Sequence, residues 1–125
     1  MSGTIDIRFF RTAVIYALLG MAGGIYMAAS HDHVQMPAHA HLLLLGWVSM
    51  TLYGAFYRLF PKAQNAAAGW HWWIANIGLI VMVTGIVIIY GGAPERGEVF
   101  ASSGALINIA GMALFAFNVF RATRG

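Results

Sequence analysis

Two histidines, His39 and His41, open a long apolar segment, PAHAHLLLLGWVSMTLYGAFYRLFP, which runs from Pro37 to Pro61. An imidazole in a membrane segment is costly and by default marks a functional site. Residues two apart on an α-helix point about 200° away from each other. The two histidines therefore cannot coordinate one metal ion together from this helix. Each imidazole needs a partner of its own.

Few partners for these imidazoles are available within the chain. His71 is predicted at the opposite membrane surface, about 30 Å of hydrocarbon away, as an interfacial residue among tryptophans. The loop histidines His31 and His33 are close enough in principle. The other source is the same helix of another subunit. A closed ring of chains would satisfy every imidazole, because each subunit of a cyclic oligomer has two different neighbours.

The residues after the pair suit a large planar ligand. Leu42 to Leu45 supply an apolar wall. Gly46 lies seven residues beyond His39 on nearly the same helix face, and it leaves room for a porphyrin edge. Haem joins axial imidazoles with an apolar pocket, so the predicted cofactor is haem b, with iron bound by His39 and His41. The alternative is that both imidazoles hydrogen-bond other helices or reach the membrane surface. Candidate partners for the haem propionates are Arg96, Tyr26 and Tyr90.

A second metal site is conceivable in the loop before the pair. His31 and His33 flank Asp32, and with Met36 they would suit copper or zinc. A solvated loop is the alternative interpretation.

The composition identifies the class of protein. Of the 125 residues, 60% are hydrophobic and only 9% are charged, whereas a soluble domain carries about 25% charged residues. An integral membrane protein is therefore predicted, with the lipid bilayer as a partner. The net charge of +3 is too small to indicate nucleic-acid binding. The absence of Cys excludes disulfides, iron–sulfur clusters and covalently attached haem.

Four apolar spans make up one predicted all-α domain over residues 1–125, at about 12–29, 39–60, 72–90 and 100–120. Their connections are short, so neighbouring helices should be antiparallel and adjacent. Glycine pairs indicate close packing between helices. These pairs are Gly20/Gly24, Gly78/Gly85 and Gly104/Gly111.

Charge placement predicts the orientation. Six cations fall on one side of the four-span arrangement, and only Arg96 falls on the other. The six are Arg8, Arg11, Arg58, Lys62, Arg121 and Arg124. The positive-inside rule then places both termini on the cytoplasmic side of the membrane. The expected location is a bacterial inner membrane. A rival interpretation takes the first span as a signal peptide, cleaved near Ala28–Ala29–Ser30.

Several polar residues lie inside the spans, and two interpretations stay open for them. They would form either a proton path or ordinary interhelical hydrogen bonds. The residues are Tyr16, Thr51, Tyr53, Thr84, Asn108 and Asn118.

The motif HAHLLLLGW followed by YGAFYRLFP resembles the second helix of the haem–copper oxidase catalytic subunit, notably its cbb3 and nitric-oxide-reductase branches. It also resembles short bacterial proteins of the subunit I-like type. The family's catalytic subunit has three four-helix arcs, and one of its helices carries a His–x–His pair that serves two haems. The resemblance implies that this chain is one arc and that a homotrimer rebuilds the ring, with haem held between His39 of one subunit and His41 of the next.

The departures from that family limit the function. An oxidase needs further histidines for copper on later helices, and nothing inside these spans matches them. The leading hypothesis is a bis-histidine cytochrome b that transfers electrons to an unknown redox partner or senses redox state, with no catalytic residue assigned. Two alternatives are a five-coordinate haem protein that binds or reduces NO or O₂, with copper possible, and a non-haem assembly subunit of a respiratory oxidase.

Overall fold

The structure is a computed structural model that describes residues 4–125, and within them the chain is helical and contains no strand. Four helices are long and apolar enough to cross a membrane. They are α1 (Ile5–Ser30), α2 (Met36–Leu59), α3 (Ala66–Tyr90) and α4 (Pro94–Ala122). The predicted all-α fold and the order of its four spans are confirmed. Each helix begins several residues before its predicted span.

Local sequence signals account for the helix ends. α1 stops after Ser30, where His31 adopts a left-handed conformation with φ 58°. Pro61 follows α2 and opens a short 3₁₀ turn, Pro61–Ala63. Asn65 caps α3 by accepting a hydrogen bond from the backbone N–H of Ala68 at 3.0 Å. Pro94 opens α4, where its missing N–H costs nothing.

α2 is not a regular α-helix throughout. Residues Leu42–Val48 are π-helical, and this segment follows directly on His41. π-Helical turns are rare in proteins, and those that occur are often found at functional sites. The carbonyl of Leu44 accepts two hydrogen bonds from Ser49. One comes from the Ser49 hydroxyl at 2.8 Å, and the other comes from the Ser49 backbone N–H. The wider turn changes which residues share a face beyond the histidine pair.

Helices α3 and α4 form the tightest pair, in contact through glycines. A Cβ added at Gly85 would meet the backbone of Gly97 and Ala101, and one added at Gly104 would meet the backbone of Met82. The prediction that these glycines mark close helix packing is confirmed. In α1, Gly20 lies against Leu43 of α2, so small residues also bring α1 and α2 together.

Opposite ends of the bundle differ in character. The cationic end holds Arg8, Arg58, Lys62 and Arg121, and there Arg58 forms an ion pair with Asp6. The side chain of Gln64 ties this end together, because it accepts from the Ile5 N–H at 2.8 Å and donates to the Tyr57 carbonyl at 3.0 Å. The histidine end holds His31, His33, His39 and His41. The outward faces between the ends carry exposed Leu, Ile, Val and Phe side chains, which suits contact with lipid.

Candidate metal centre

His39 lies in the second turn of α2 and packs against α1. A Cβ at Gly24 would be 3.0 Å from its Cε1 atom, and one at Gly23 would be 4.0 Å from its Nδ1 atom. The absent side chain of Gly24 thus makes room for the imidazole, whereas a Cβ at Gly23 would be in ordinary contact with it. The Nδ1 atom of His39 is buried and has no hydrogen-bond partner. The hydrogen-bonding capacity of His39 is therefore not fully used within one subunit. Leaving a buried polar atom without a partner costs about 1–3 kcal/mol.

A cavity of about 200 Å³ lies beside His39, at the histidine end between α1, α2 and α3. Its walls are mostly apolar and include Met27, Leu42, Val83 and Val87. Ligand pockets usually measure about 300–1,000 Å³, so one subunit alone does not enclose a macrocycle. The cavity is open on the side that faces away from the bundle.

His41 is exposed on the other side of α2. Its Nδ1 atom is 2.7 Å from the carbonyl oxygen of Pro37. A carbonyl only accepts, so Nδ1 carries the proton and donates, and Nε2 keeps its lone pair. Metal-bound imidazoles usually have this arrangement, with one nitrogen fixed by a carbonyl and the other on the metal.

The structure therefore directs the two imidazoles to different surroundings. His39 faces α1 and the cavity, and His41 faces away from the subunit. This agrees with the two different faces that their spacing predicts. No group of three or more His, Asp or Glu side chains comes together in residues 4–125 in a way that would hold a metal ion. A metal bound at either histidine needs a ligand from outside this subunit or from the cofactor itself.

Gly46 has a different environment from the one expected. It is buried, and a Cβ there would be 2.6 Å from the Cβ of Tyr16 in α1. The prediction that Gly46 makes room for a porphyrin edge gains no support, because its small size is accounted for by the Tyr16 side chain. Gly46 and His39 both face α1, since His39 lies against Gly24 and Gly46 lies against Tyr16 of that helix.

The other predicted site residues are dispersed. Arg96 is exposed in the first turn of α4 and does not line the cavity beside His39, whereas Tyr26 does. His31 and His33 are exposed in the loop after α1, and the predicted copper or zinc site there remains a prediction. Asp32 caps its own turn by accepting from the Val34 N–H at 3.0 Å.

His71 was predicted at the membrane interface, and this prediction is wrong. Its side chain is 0% exposed in the core of the bundle at the cationic end. Its Nδ1 atom is 3.0 Å from the Tyr57 hydroxyl, which also accepts from the amide of Asn118 at 3.3 Å. Aromatic rings surround the imidazole, those of Phe9, Tyr53, Tyr57 and Phe115. The missed signal is the spacing of Ala68, His71 and Ala75, which places the histidine on a helix face of small, buried residues.

Two interhelical hydrogen bonds join α1 to α3. The Tyr16 hydroxyl donates to Asn76 Oδ1 at 2.7 Å, and the Trp72 indole donates to the Thr12 hydroxyl at 3.1 Å. By contrast, Thr51 bonds only the carbonyl of Trp47 one turn earlier. For the polar residues that make them, these contacts favour ordinary structural hydrogen bonds over a proton path.

Part of the chain is similar to a curated protein, "Cytochrome c oxidase subunit 1 homolog, bacteroid" from Bradyrhizobium diazoefficiens. The two sequences are 34% identical over 53 residues, which cover 37% of this chain and 10% of that protein. The match thus spans only about a tenth of that relative's length. No protein-family model matches the chain, and no solved structure matches it significantly. The partial match supports a distant relation to haem–copper oxidases and no more.

Proposed function

We propose that this protein is a b-type haem protein in which His39 of one subunit and His41 of the next are the axial ligands. The observation that carries the proposal is the His41 imidazole, which is exposed and whose Nδ1 is held by the Pro37 carbonyl at 2.7 Å. This bond fixes the ring and leaves Nε2 free on the outer surface. An imidazole in that state is ready to bind a metal from a neighbouring subunit.

The surroundings of His39 fit the same cofactor. The imidazole lies beside an apolar cavity, and its buried Nδ1 lacks a partner in the isolated subunit. The chain contains no Cys, so a haem here would be held without thioether bonds, and the axial imidazoles and apolar contacts would hold it. A haem with two axial imidazoles would supply one-electron transfer and would leave no open position for a gas. The protein's part is to fix the two imidazoles and to exclude water with the apolar wall.

The directions of the two histidines suit a closed ring of subunits. His39 and His41 face different sides of α2, so each subunit presents one imidazole to each of two neighbours. The number three rests only on the resemblance to a twelve-helix ring of four-helix arcs. Under the positive-inside rule the cationic end faces the cytoplasm, which would put the haem near the outer face of a bacterial inner membrane.

A five-coordinate haem bound by His41 alone is the second candidate. The observation that favours it is the contrast between the imidazoles, because only His41 has its Nδ1 fixed by a hydrogen bond. In that case the iron would keep an open position for NO or O₂.

A reduced-minus-oxidised spectrum of the detergent-purified protein tests both candidates. Sharp low-spin α and β bands that carbon monoxide leaves unchanged support two axial imidazoles, and a spectrum shifted by carbon monoxide supports the second candidate. The absence of any Soret band contradicts both and leaves a non-haem assembly role. His39→Ala and His41→Ala should each abolish the low-spin bands. The loop variant His33→Ala is the matched control and should keep them.

Complementation between the two variants tests whether the haem is shared between subunits. When His39→Ala and His41→Ala chains are co-expressed in equal amounts, a site is intact only where an intact His39 meets an intact His41. Random assembly of a ring then restores about a quarter of the wild-type low-spin haem. If both ligands came from one subunit, mixing would restore none, and the shared-site proposal would fail.

A further inference from the structure

A second cavity, of about 240 Å³, lies at the cationic end, far from the histidine pair. It is formed where the link between α2 and α3 meets the end of α4. Its lining residues are Lys62, Ala63, Asn65, Asn118, Arg121 and Ala122. Two cations and two amides therefore share one small concave site, in a chain with only 11 charged residues of Asp, Glu, Lys and Arg, seven basic and four acidic.

Both cations lack a counter-ion. The ion pair in residues 4–125 joins Arg58 to Asp6, and neither Lys62 nor Arg121 has a carboxylate partner in this part of the chain. The positive N-terminal end of the α3 dipole adds to their field at Asn65. The Oδ1 atom of Asn65 is already used as the helix cap, so its Nδ2 remains a donor. All these groups favour an anion in the cavity and oppose a metal cation.

Asn118 also lines the cavity, but it is 1% exposed and belongs to the core. Its Nδ2 donates to the Tyr57 hydroxyl at 3.3 Å, so this amide is already used within the bundle. The groups left to bind an anion are the two cations and the Nδ2 of Asn65.

We propose that this cavity binds a phosphate group, and that its source is the headgroup of an anionic phospholipid. Trp70 and Trp73 are exposed near the start of α3, and exposed tryptophans lie at the headgroup level of a bilayer. A lipid phosphodiester at that depth would reach Lys62 and Arg121 while its acyl chains cover the apolar helix faces. Basic pockets between membrane helices bind anionic lipids in this way.

Native mass spectrometry of the detergent-solubilised protein tests the site with phosphatidylglycerol and with phosphatidylethanolamine. The wild-type protein should retain phosphatidylglycerol in preference. Each lost charge should weaken retention about fivefold, and the Lys62→Gln/Arg121→Gln double variant should therefore lose about 25-fold. Arg124→Gln is the matched control, because Arg124 is exposed at the same end and does not line the cavity.

The outcomes separate a built site from diffuse charge and a lipid from free phosphate. Equal retention by the double variant and the wild type overturns the proposal, and so does an equal loss in Arg124→Gln. A third arm adds millimolar inorganic phosphate to the lipid-loaded protein. Retention of the lipid supports the headgroup as the source, and its displacement overturns that assignment in favour of free phosphate. Lys62, Arg121 and Arg124 are all exposed, so the thermal unfolding of their variants should match that of the wild type.

Discussion

Replacing Gly85 by Ala should force α3 and α4 apart. The added Cβ would lie 2.7 Å from the Gly97 carbonyl oxygen and 2.8 Å from the Ala101 Cα, and ordinary contact begins at 3.4 Å. These neighbours are backbone atoms, which cannot turn away as a flexible side chain can. Restoring contact therefore separates two helices over their length and costs dispersion energy at every other close approach between them.

Gly69 in the same helix provides the matched control. A Cβ at Gly69 would meet nothing within 4 Å. Gly→Ala in a helix gains up to about 1 kcal/mol at either position from backbone entropy alone. Overpacking costs about 1–3 kcal/mol and applies only at Gly85. The propensity gain cancels in the comparison, so Gly85→Ala should be less stable than Gly69→Ala by about 1–3 kcal/mol.

The assay is unfolding of the detergent-solubilised protein by added sodium dodecyl sulfate, followed by circular dichroism. The free energies of unfolding of the two variants are compared under the same conditions. If Gly85→Ala proved as stable as Gly69→Ala, the direct backbone contact between α3 and α4 would be refuted.

Two further substitutions probe the two histidine environments. Gly24→Ala should lower haem affinity about fivefold, because the added Cβ would be 3.0 Å from His39 Cε1 and displacing the ring costs about 1 kcal/mol. Gly23→Ala is the control and should leave haem affinity unchanged, because its Cβ would be 4.0 Å from the ring. Equal effects of the two substitutions in a haem titration would contradict this prediction. Tyr57→Phe should destabilise the protein by about 1–3 kcal/mol by leaving His71 without a partner. Adding His71→Leu should recover part of that loss, and strict additivity in the same detergent unfolding assay would count against the pair.

The sequence allowed the four helices and their order to be predicted, because each apolar run is long enough to span a bilayer. The helix starts were placed too late. Hydropathy falls where Asp6, Arg8 and Arg11 begin α1, yet these residues continue the helix toward the surface. Asp6 is kept there by an ion pair with Arg58, a contact between distant parts of the chain. A pattern read along one segment does not contain such a partner.

The histidines show the same difference between what one segment determines and what depends on contacts with other helices. The spacing of His39 and His41 set their relative directions, since that depends on one local helix. The burial of His71 depended on Tyr57 and Phe115, which arrive from other helices. The role expected of Gly46 gained no support because the Tyr16 side chain, which comes from α1, occupies the space beside it. The π-helical turn was not predicted either, since nothing in four successive leucines distinguishes a π-helix from an α-helix.

That π-helical segment makes chain length itself a determinant of the site. Removing any one of Leu42, Leu43, Leu44 or Leu45 yields the same shortened sequence, with every type of side chain still present. A π-helical turn takes up about one residue more than an α-helical turn, so a shortened segment that closed into α-helical turns would keep both histidines near their present directions. If the full-length segment wound as a regular α-helix instead, the histidines would rotate by about 100° relative to the rest of α2. His39 would leave the glycines of α1, and His41 would leave the outer face. The direction of both imidazoles is thus set by a count of residues, in a stretch where the residues are interchangeable.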